Sequence, residues 1–173
     1  MTDEPDPARF PVASTRRRLI RGGAALASLA AAVQSHSEPA AAENRMRTAL
    51  HQDVALKVGP QRLYDMLLDA KTFAAFTGAP AKIDPRPGGV CSLFGGLVSA
   101  RNVELVPALR IVQAWRPNDW APGVYSVVRF ELKPLGSETA LALDHTGFPE
   151  GEYDSLSRGW VEHYWDPLRK FLA

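Results

Sequence analysis

A chain of 173 residues with 46% apolar and 23% charged side chains has the length and composition of one ordinary globular domain, which excludes a disordered, collagen-like or repeat-built protein. The formal net charge of +1 offers no global basic field for phosphates, so nucleic acid is not an expected partner. Cys91 is the only cysteine, which excludes an intrachain disulfide framework and a zinc site built on several thiolates.

Residues 1–42 read differently from the rest. Met1 to Pro11 is polar, Thr15 to Arg21 is a cationic cluster, and Gly22 to Val33 is an uncharged, alanine-rich run. That run is too short to cross a bilayer, which takes about 20 apolar residues, but it has the length of a signal-peptide core. Pro39 and Ala40-Ala41-Ala42 then supply the small-x-small pattern of a cleavage site. Thr15, the pair Arg16 and Arg17, then Arg18, Leu19, Ile20 and Arg21 resemble the twin-arginine export signal, with Leu19 where phenylalanine is usual. The expectation is a leader over 1–42, cleaved near Ala42 and engaging the twin-arginine translocase through Arg16 and Arg17. It places the mature domain in the periplasm or outside a bacterial cell, without stable membrane insertion. Retention of the leader as a membrane tether, a general secretory signal and an amphipathic N-terminal helix are the competing readings.

From Glu43 the remaining 43–173 predict one domain. His51 to Val58 alternates as a strand. Gly59-Pro60 starts a helix, because proline at the first helical position gives up only an orphan amide. Leu63, Leu67 and Tyr64, Leu68 recur at steps of four, and Phe73, Phe76 and a closing Gly78 predict a second short helix. Gly88-Gly89 is read as a turn, and Val90–Phe94 with Leu97–Ala100 across Gly95-Gly96 as a hairpin. Leu105, Leu109, Ile111, Gln113 and Trp115 are expected on one face of a single long strand, with Arg110 and Arg116 opposite. Ser126, Val128, Phe130 and Leu132 alternate with Arg129, Glu131 and Lys133. After the Leu135-Gly136-Ser137 turn, Thr139, Leu141, Leu143 and His145 do the same against Ala140, Ala142 and Asp144. Beyond Pro149 and Gly151 the period returns to helical. Leu156, Trp160, Tyr164, Leu168 and Leu172 form a stripe flanked by Val161, Trp165 and Phe171. Asp154 is the expected N-cap, and Gly159 and Pro167 should weaken this helix, with a kink near Pro167. The expected class is α+β: a curved antiparallel sheet wrapped around a long C-terminal helix.

Several runs carry a family resemblance: Leu63 to Gly78, Pro87-Gly88-Gly89, Phe94-Gly95-Gly96, Leu105-Val106-Pro107, Ile111 to Arg116, His145 to Pro149, and Gly159-Trp160 with Tyr164-Trp165. Together they resemble the family named for the activator of heat-shock protein 90 ATPase. The resemblance implies the helix-grip fold of the SRPBCC, or START-like, superfamily, in which sheet and terminal helix enclose a cavity. It implies no single activity. Eukaryotic members stimulate a cytosolic chaperone ATPase through surface contacts, and other branches of the superfamily bind lipids or act as cyclases. An export leader would separate this chain from a cytosolic chaperone, so that partnership is disfavoured.

No catalytic residue, metal ligand or cofactor is assigned from the sequence. His145 and His163 lack the spacing and partners of a metal site. Asp144 and His145 could form a hydrolytic triad with a serine on paper, but no G-x-S-x-G elbow is present, and His145 reads as a hydrogen-bonded structural residue. Cys91 reads as a small core residue. The expected site is a cavity lined by Trp115, Phe130, His145, Trp160 and Tyr164, taking a small hydrophobic ligand without catalysis. A co-chaperone acting through its surface, and a cyclase- or hydrolase-like enzyme using Asp144 and His145 in the same cavity, are the alternatives. The reading leans against an enzyme.

Overall fold

The computed structural model describes residues 43–173; the leader expected over 1–42, with Arg16 and Arg17, lies outside the described residues. Seven strands form one antiparallel sheet. They are β1 (Ala49–Leu56), β2 (Lys82–Ile83), β3 (Val90–Leu93), β4 (Val98–Val106), β5 (Arg110–Pro117), β6 (Ser126–Leu135) and β7 (Glu138–Thr146), in the spatial order β1-β7-β6-β5-β4-β3-β2. The first strand therefore pairs with the last, Leu50 opposite His145 and Leu56 opposite Thr139. Two short helices, α1 (Pro60–Leu68) and α2 (Ala70–Thr77), join β1 to β2, and a long helical rod closes the chain. The predicted α+β helix-grip architecture is the one observed.

Local chemistry explains the short helices. Pro60 opens α1 after an extended Gly59, and α1 buries Leu63, Tyr64, Met66, Leu67 and Leu68. Asp69 ends α1 and caps α2, its carboxylate accepting from the Thr72 amide and hydroxyl at 2.7 Å each. Gly78, at φ 70°, supplies the left-handed residue that ends α2.

Period-two burial turns one face of the sheet toward the helices: Val54, Ile111, Trp115, Val128, Phe130, Leu132, Leu141, Leu143 and His145 all point inward and are buried. The outer face carries the arginines, as alternation requires, but they are engaged. The Arg110 Nε meets Glu131 Oε1 at 2.6 Å, Arg129 also pairs with Glu131, and Arg116 donates to the Trp120 carbonyl at 3.2 Å.

Four expectations need correction or refinement. The single long strand through Leu109 is two strands joined by a turn. Leu109 donates its amide to the Val106 carbonyl at 3.0 Å and is exposed, and Ala108 takes a left-handed φ of 58°. The strand β2 adds a sheet edge that periodicity did not predict. Asp154 is not the N-cap: the rod begins at Tyr153, and Asp154 sits in its first turn, accepting from Asn44 Nδ2 at 3.1 Å. Finally, Pro167 does not sharply break the rod. The helix α3 (Tyr153–Trp160) passes into a π-helical turn, Val161–Trp165, and then into α4 (Asp166–Phe171). The Asp166 amide reaches back five residues to the Val161 carbonyl. Proline has no amide for the His163 carbonyl, and the wider turn just before it absorbs the mismatch. It also places the neighbours Tyr164 and Trp165 both in the core, whereas Val161 and Phe171 stay largely outside.

Candidate functional site

The rod does not pack uniformly on the sheet. Near the β3–β5 side a groove of about 430 Å³ lies between them. Its sheet wall is Phe94, Leu97 and Val98 from the β3–β4 hairpin with Trp115 and Pro117 from β5. Its helix wall is Leu156, Gly159, Trp160, His163 and Tyr164. Neither wall carries a lysine, arginine or carboxylate.

Each wall residue is placed by its element. Trp115 occupies an inward position near the end of β5, opposite Ala100 on β4 and Ser126 on β6. Trp160 and Tyr164 follow one helical turn apart. The Trp115 and Trp160 rings stack at 4.9 Å between centroids, with Tyr164 4.7 Å from Trp160. Phe94 sits in the turn after β3 at φ 53°, followed by Gly95 and Gly96 at 67° and 99°. A bulky residue is rarely held in that left-handed region. Here the Gly95 amide donates to the Pro80 carbonyl at 2.7 Å and Asn118 grips the turn through the Gly96 carbonyl, so that the Phe94 ring rests edge-on against Tyr164 and Phe73.

Of the five residues expected around the cavity, Trp115, Trp160 and Tyr164 line the groove, and Phe130 and His145 do not. Phe130 stands edge-on to Trp160 and Trp165 in solid core. His145 is fully buried, with both ring nitrogens bonded. The Trp160 indole donates to Nδ1 at 3.1 Å, which leaves the proton on Nε2, 2.7 Å from the Ser126 hydroxyl oxygen. Ser126 passes its own proton to the Trp115 carbonyl at 3.3 Å. Burial pushes the imidazole pKa down to about 4, so it stays neutral near pH 7.

This arrangement opposes the hydrolytic alternative. Ser126 and His145 are adjacent, but the nitrogen facing the hydroxyl already holds a proton and cannot accept another. Asp144, next in sequence, points to the opposite face of the sheet and bonds the His51 Nδ1 at 2.7 Å. His145 is the structural residue that the sequence suggested. Among the described residues no group of three or more His, Cys, Asp or Glu side chains could hold a metal ion. Cys91 is buried, and burial raises its thiol pKa, so it is a core residue.

Sequence reasoning did not single out Leu97, Leu156, Gly159 or His163 for the site, nor the polar chain behind it. The Trp115 indole donates to Gln113 Oε1 at 2.8 Å. Gln113 Nε2 donates to Asn102 Oδ1 at 2.7 Å, and Asn102 Nδ2 to the Asp84 carbonyl at 2.7 Å. All three side chains are buried. The signal was Gln113 itself: an amide at an inward strand position must find partners, because leaving it unpaired is costly.

With the geometry described, comparison with known proteins gives a consistent picture. The family described as "Activator of Hsp90 ATPase homolog 1-like protein" matches residues 57–173. The human "Activator of 90 kDa heat shock protein ATPase homolog 1" is 29% identical over 111 residues, covering 64% of this chain and 33% of that protein. The Dictyostelium discoideum "Activator of 90 kDa heat shock protein ATPase homolog" is 32% identical over 114 residues, covering 64% and 29%. The chain thus spans about a third of the length of these relatives. Among solved structures, an HSP90 activator from Plasmodium falciparum is similar with a TM-score of 0.70 at 25% identity, covering 73% of this chain and 96% of that one. CalU16 from Micromonospora echinospora shares the fold with a TM-score of 0.63 at 20% identity, covering 72% and 76%.

Proposed function

The chain belongs to the activator of Hsp90 ATPase homolog 1-like family, and from that premise we propose that it is a non-catalytic binding domain that holds a small hydrophobic molecule in the groove between sheet and terminal helix. One observation carries this reading: an apolar groove of about 430 Å³, walled by stacked indoles, is left open in an interface that is otherwise closely packed. The volume suits a compact ligand rather than a long lipid. Catalysis is disfavoured because the one buried Ser–His pair is in the wrong protonation state and Asp144 faces away.

The test uses two reporters in the groove wall. Titrating the protein with 2-isopropenylnaphthalene should shift the indole N–H resonances of Trp115 and Trp160 saturably and raise the melting temperature. The Trp165 indole, bonded to Gln52 at 2.6 Å outside the groove, should move least. No saturable shift with this or any panel of compact apolar probes would end the reading.

The same proposal places the domain outside the cytosol, on the strength of the leader pattern around Arg16 and Arg17. Replacing both by lysine should strand the full-length precursor in the cytosol, whereas unchanged fractionation would remove the export route. A second reading is favoured by the names of the relatives: surface contact with an Hsp90-type chaperone. It requires the full chain to raise that chaperone's ATPase rate and a cytosolic population to act there, so finding only processed, exported protein would oppose it.

A further inference from the structure

Of the polar side chains that line the groove, Thr77 donates to the Phe73 carbonyl at 2.7 Å and Ser155 and His163 are exposed, which leaves Tyr164 as the buried one that the fold does not use. Tyr164 is only 4% exposed and lines the groove, yet its hydroxyl has no hydrogen-bond partner among the described residues. Among the described residues no side-chain nitrogen or oxygen that is sealed from solvent lacks a partner, so this oxygen is not sealed, and the groove is the open space that Tyr164 lines. The two indole donors of the wall are occupied. Trp115 donates to Gln113 and Trp160 to His145, so neither wall indole is free to bind a ligand atom.

From this geometry we infer that Tyr164 selects the ligand: the groove takes a neutral, planar, largely apolar molecule bearing one acceptor oxygen, such as an aromatic ketone or aldehyde, and the Tyr164 hydroxyl donates to that oxygen. The inference rests on the ligand-binding reading above and sharpens it. Planarity follows from the flat, rigid rings of Phe94, Trp115, Trp160 and Tyr164 that line the groove. Neutrality follows from the walls, because an anion would be desolvated there with no lysine or arginine to compensate it. The hydroxyl acts as donor because burial raises its pKa above the ordinary tyrosine value, so the proton stays on the oxygen. An unliganded hydroxyl in this position is satisfied at best by water, and a carbonyl oxygen replaces that contact while the apolar body fills the groove.

The experiment compares two probes of nearly identical planar shape, 2-acetylnaphthalene and 2-isopropenylnaphthalene, which differ by a carbonyl oxygen in place of a methylene. The wild-type chain should bind the ketone about threefold to tenfold more tightly, the span of one neutral hydrogen bond. Tyr164→Phe should erase that preference and leave the affinity for the hydrocarbon within about twofold. A wild type that does not discriminate, or a preference that survives in Tyr164→Phe, overturns the inference while leaving the groove as a binding site. Failure of both probes to bind the wild type overturns the binding reading and this inference with it. Should Tyr164→Phe not fold, the wild type still decides. The carbonyl stretch of bound 2-acetylnaphthalene should lie below its value in an alkane, and an alkane-like stretch refutes the hydrogen bond.

Discussion

On the β1–β7 side of the sheet the terminal rod meets solid core, whereas on the β3–β5 side it stands away from the sheet. The same residue types serve both regions. In the first, Trp165 donates to Gln52, the Phe130 ring fills the space between two indoles, and His145 has both nitrogens bonded. In the second, Trp115, Trp160 and Tyr164 line open space, and the Tyr164 hydroxyl has no partner among the described residues. The two regions meet at Trp160, whose indole nitrogen belongs to the sealed side and whose ring walls the open one. An inward-facing aromatic is therefore not by itself a cavity wall; completeness of polar pairing separates packing from site.

The largest effect should come from attacking the sealed region. Phe130→Ala should lower unfolding free energy by about 3–5 kcal/mol in guanidinium titrations, because the hole lies among rings that cannot collapse into it. Leu97→Ala, on the exposed groove rim, should change it by about 0.5 kcal/mol or less. Equal costs at the two positions would erase the distinction between the regions.

A second effect, of about 3 kcal/mol, is tied to pH. His145 titrates near 4 when folded and near its ordinary 6.5 when unfolded, so between those values the unfolded chain holds a proton that the folded chain refuses. Stability should fall as pH drops from 6.5 toward 4, by roughly 1.4 kcal/mol per pH unit. His51 acts with the opposite sign: the hydrogen bonds its protonated ring donates to Asp144 and Asp53 raise its pKa, so its contribution is present at low pH and lost as pH rises through its folded value. It is exposed, and its share is small. Carboxylates such as Asp69, held below the ordinary range by hydrogen bonds from Thr72, lose their contribution only at lower pH. Denaturant midpoints measured from pH 4.5 to 7 should therefore slope in the wild type and flatten in His145→Gln. A slope that survives the substitution would place the titrating group elsewhere.

The same two regions show what the sequence could and could not reveal. Steps of four identified Trp160 and Tyr164, and steps of two identified Trp115, Phe130 and His145, because periodicity reports which face is buried. It says nothing of depth along that face, which is why Phe130 and His145 were grouped with the groove they stand behind. Gly59-Pro60 and Gly78 marked helix ends by chemistry intrinsic to those residues. The turn at Pro107-Ala108-Leu109 had no such mark: the residue taking the left-handed backbone is an alanine, and β4 and β5 read as one strand across it. Phe94 read only as the end of a hairpin strand, since its placement in the groove wall depends on tertiary bonds from the turn to Pro80 and Asn118. Pro167 signalled trouble in the rod, but the π-helical turn that resolves it depends on the core receiving both Tyr164 and Trp165.

The smallest effect tests the boundary between the two regions from the helix side. Gly159 lies inside α3 on the groove wall, and glycine within a helix costs about 0.5–1 kcal/mol relative to alanine. A Cβ there would have its nearest neighbour at the His163 Cδ2, 3.9 Å away, which is ordinary contact. Gly159→Ala should therefore stabilise the fold by about 0.5–1 kcal/mol, with the gain read in denaturant titration. The added methyl projects where the groove begins, so affinity for 2-isopropenylnaphthalene should stay the same or weaken slightly, and the larger Gly159→Leu should block binding without unfolding the chain. A destabilised alanine variant would mean that the space beside Gly159 belongs to the packed core after all. A leucine variant that still binds would mean that the ligand sits elsewhere. Stabilisation with blocked binding would show that the missing side chain keeps the groove open at the expense of the helix.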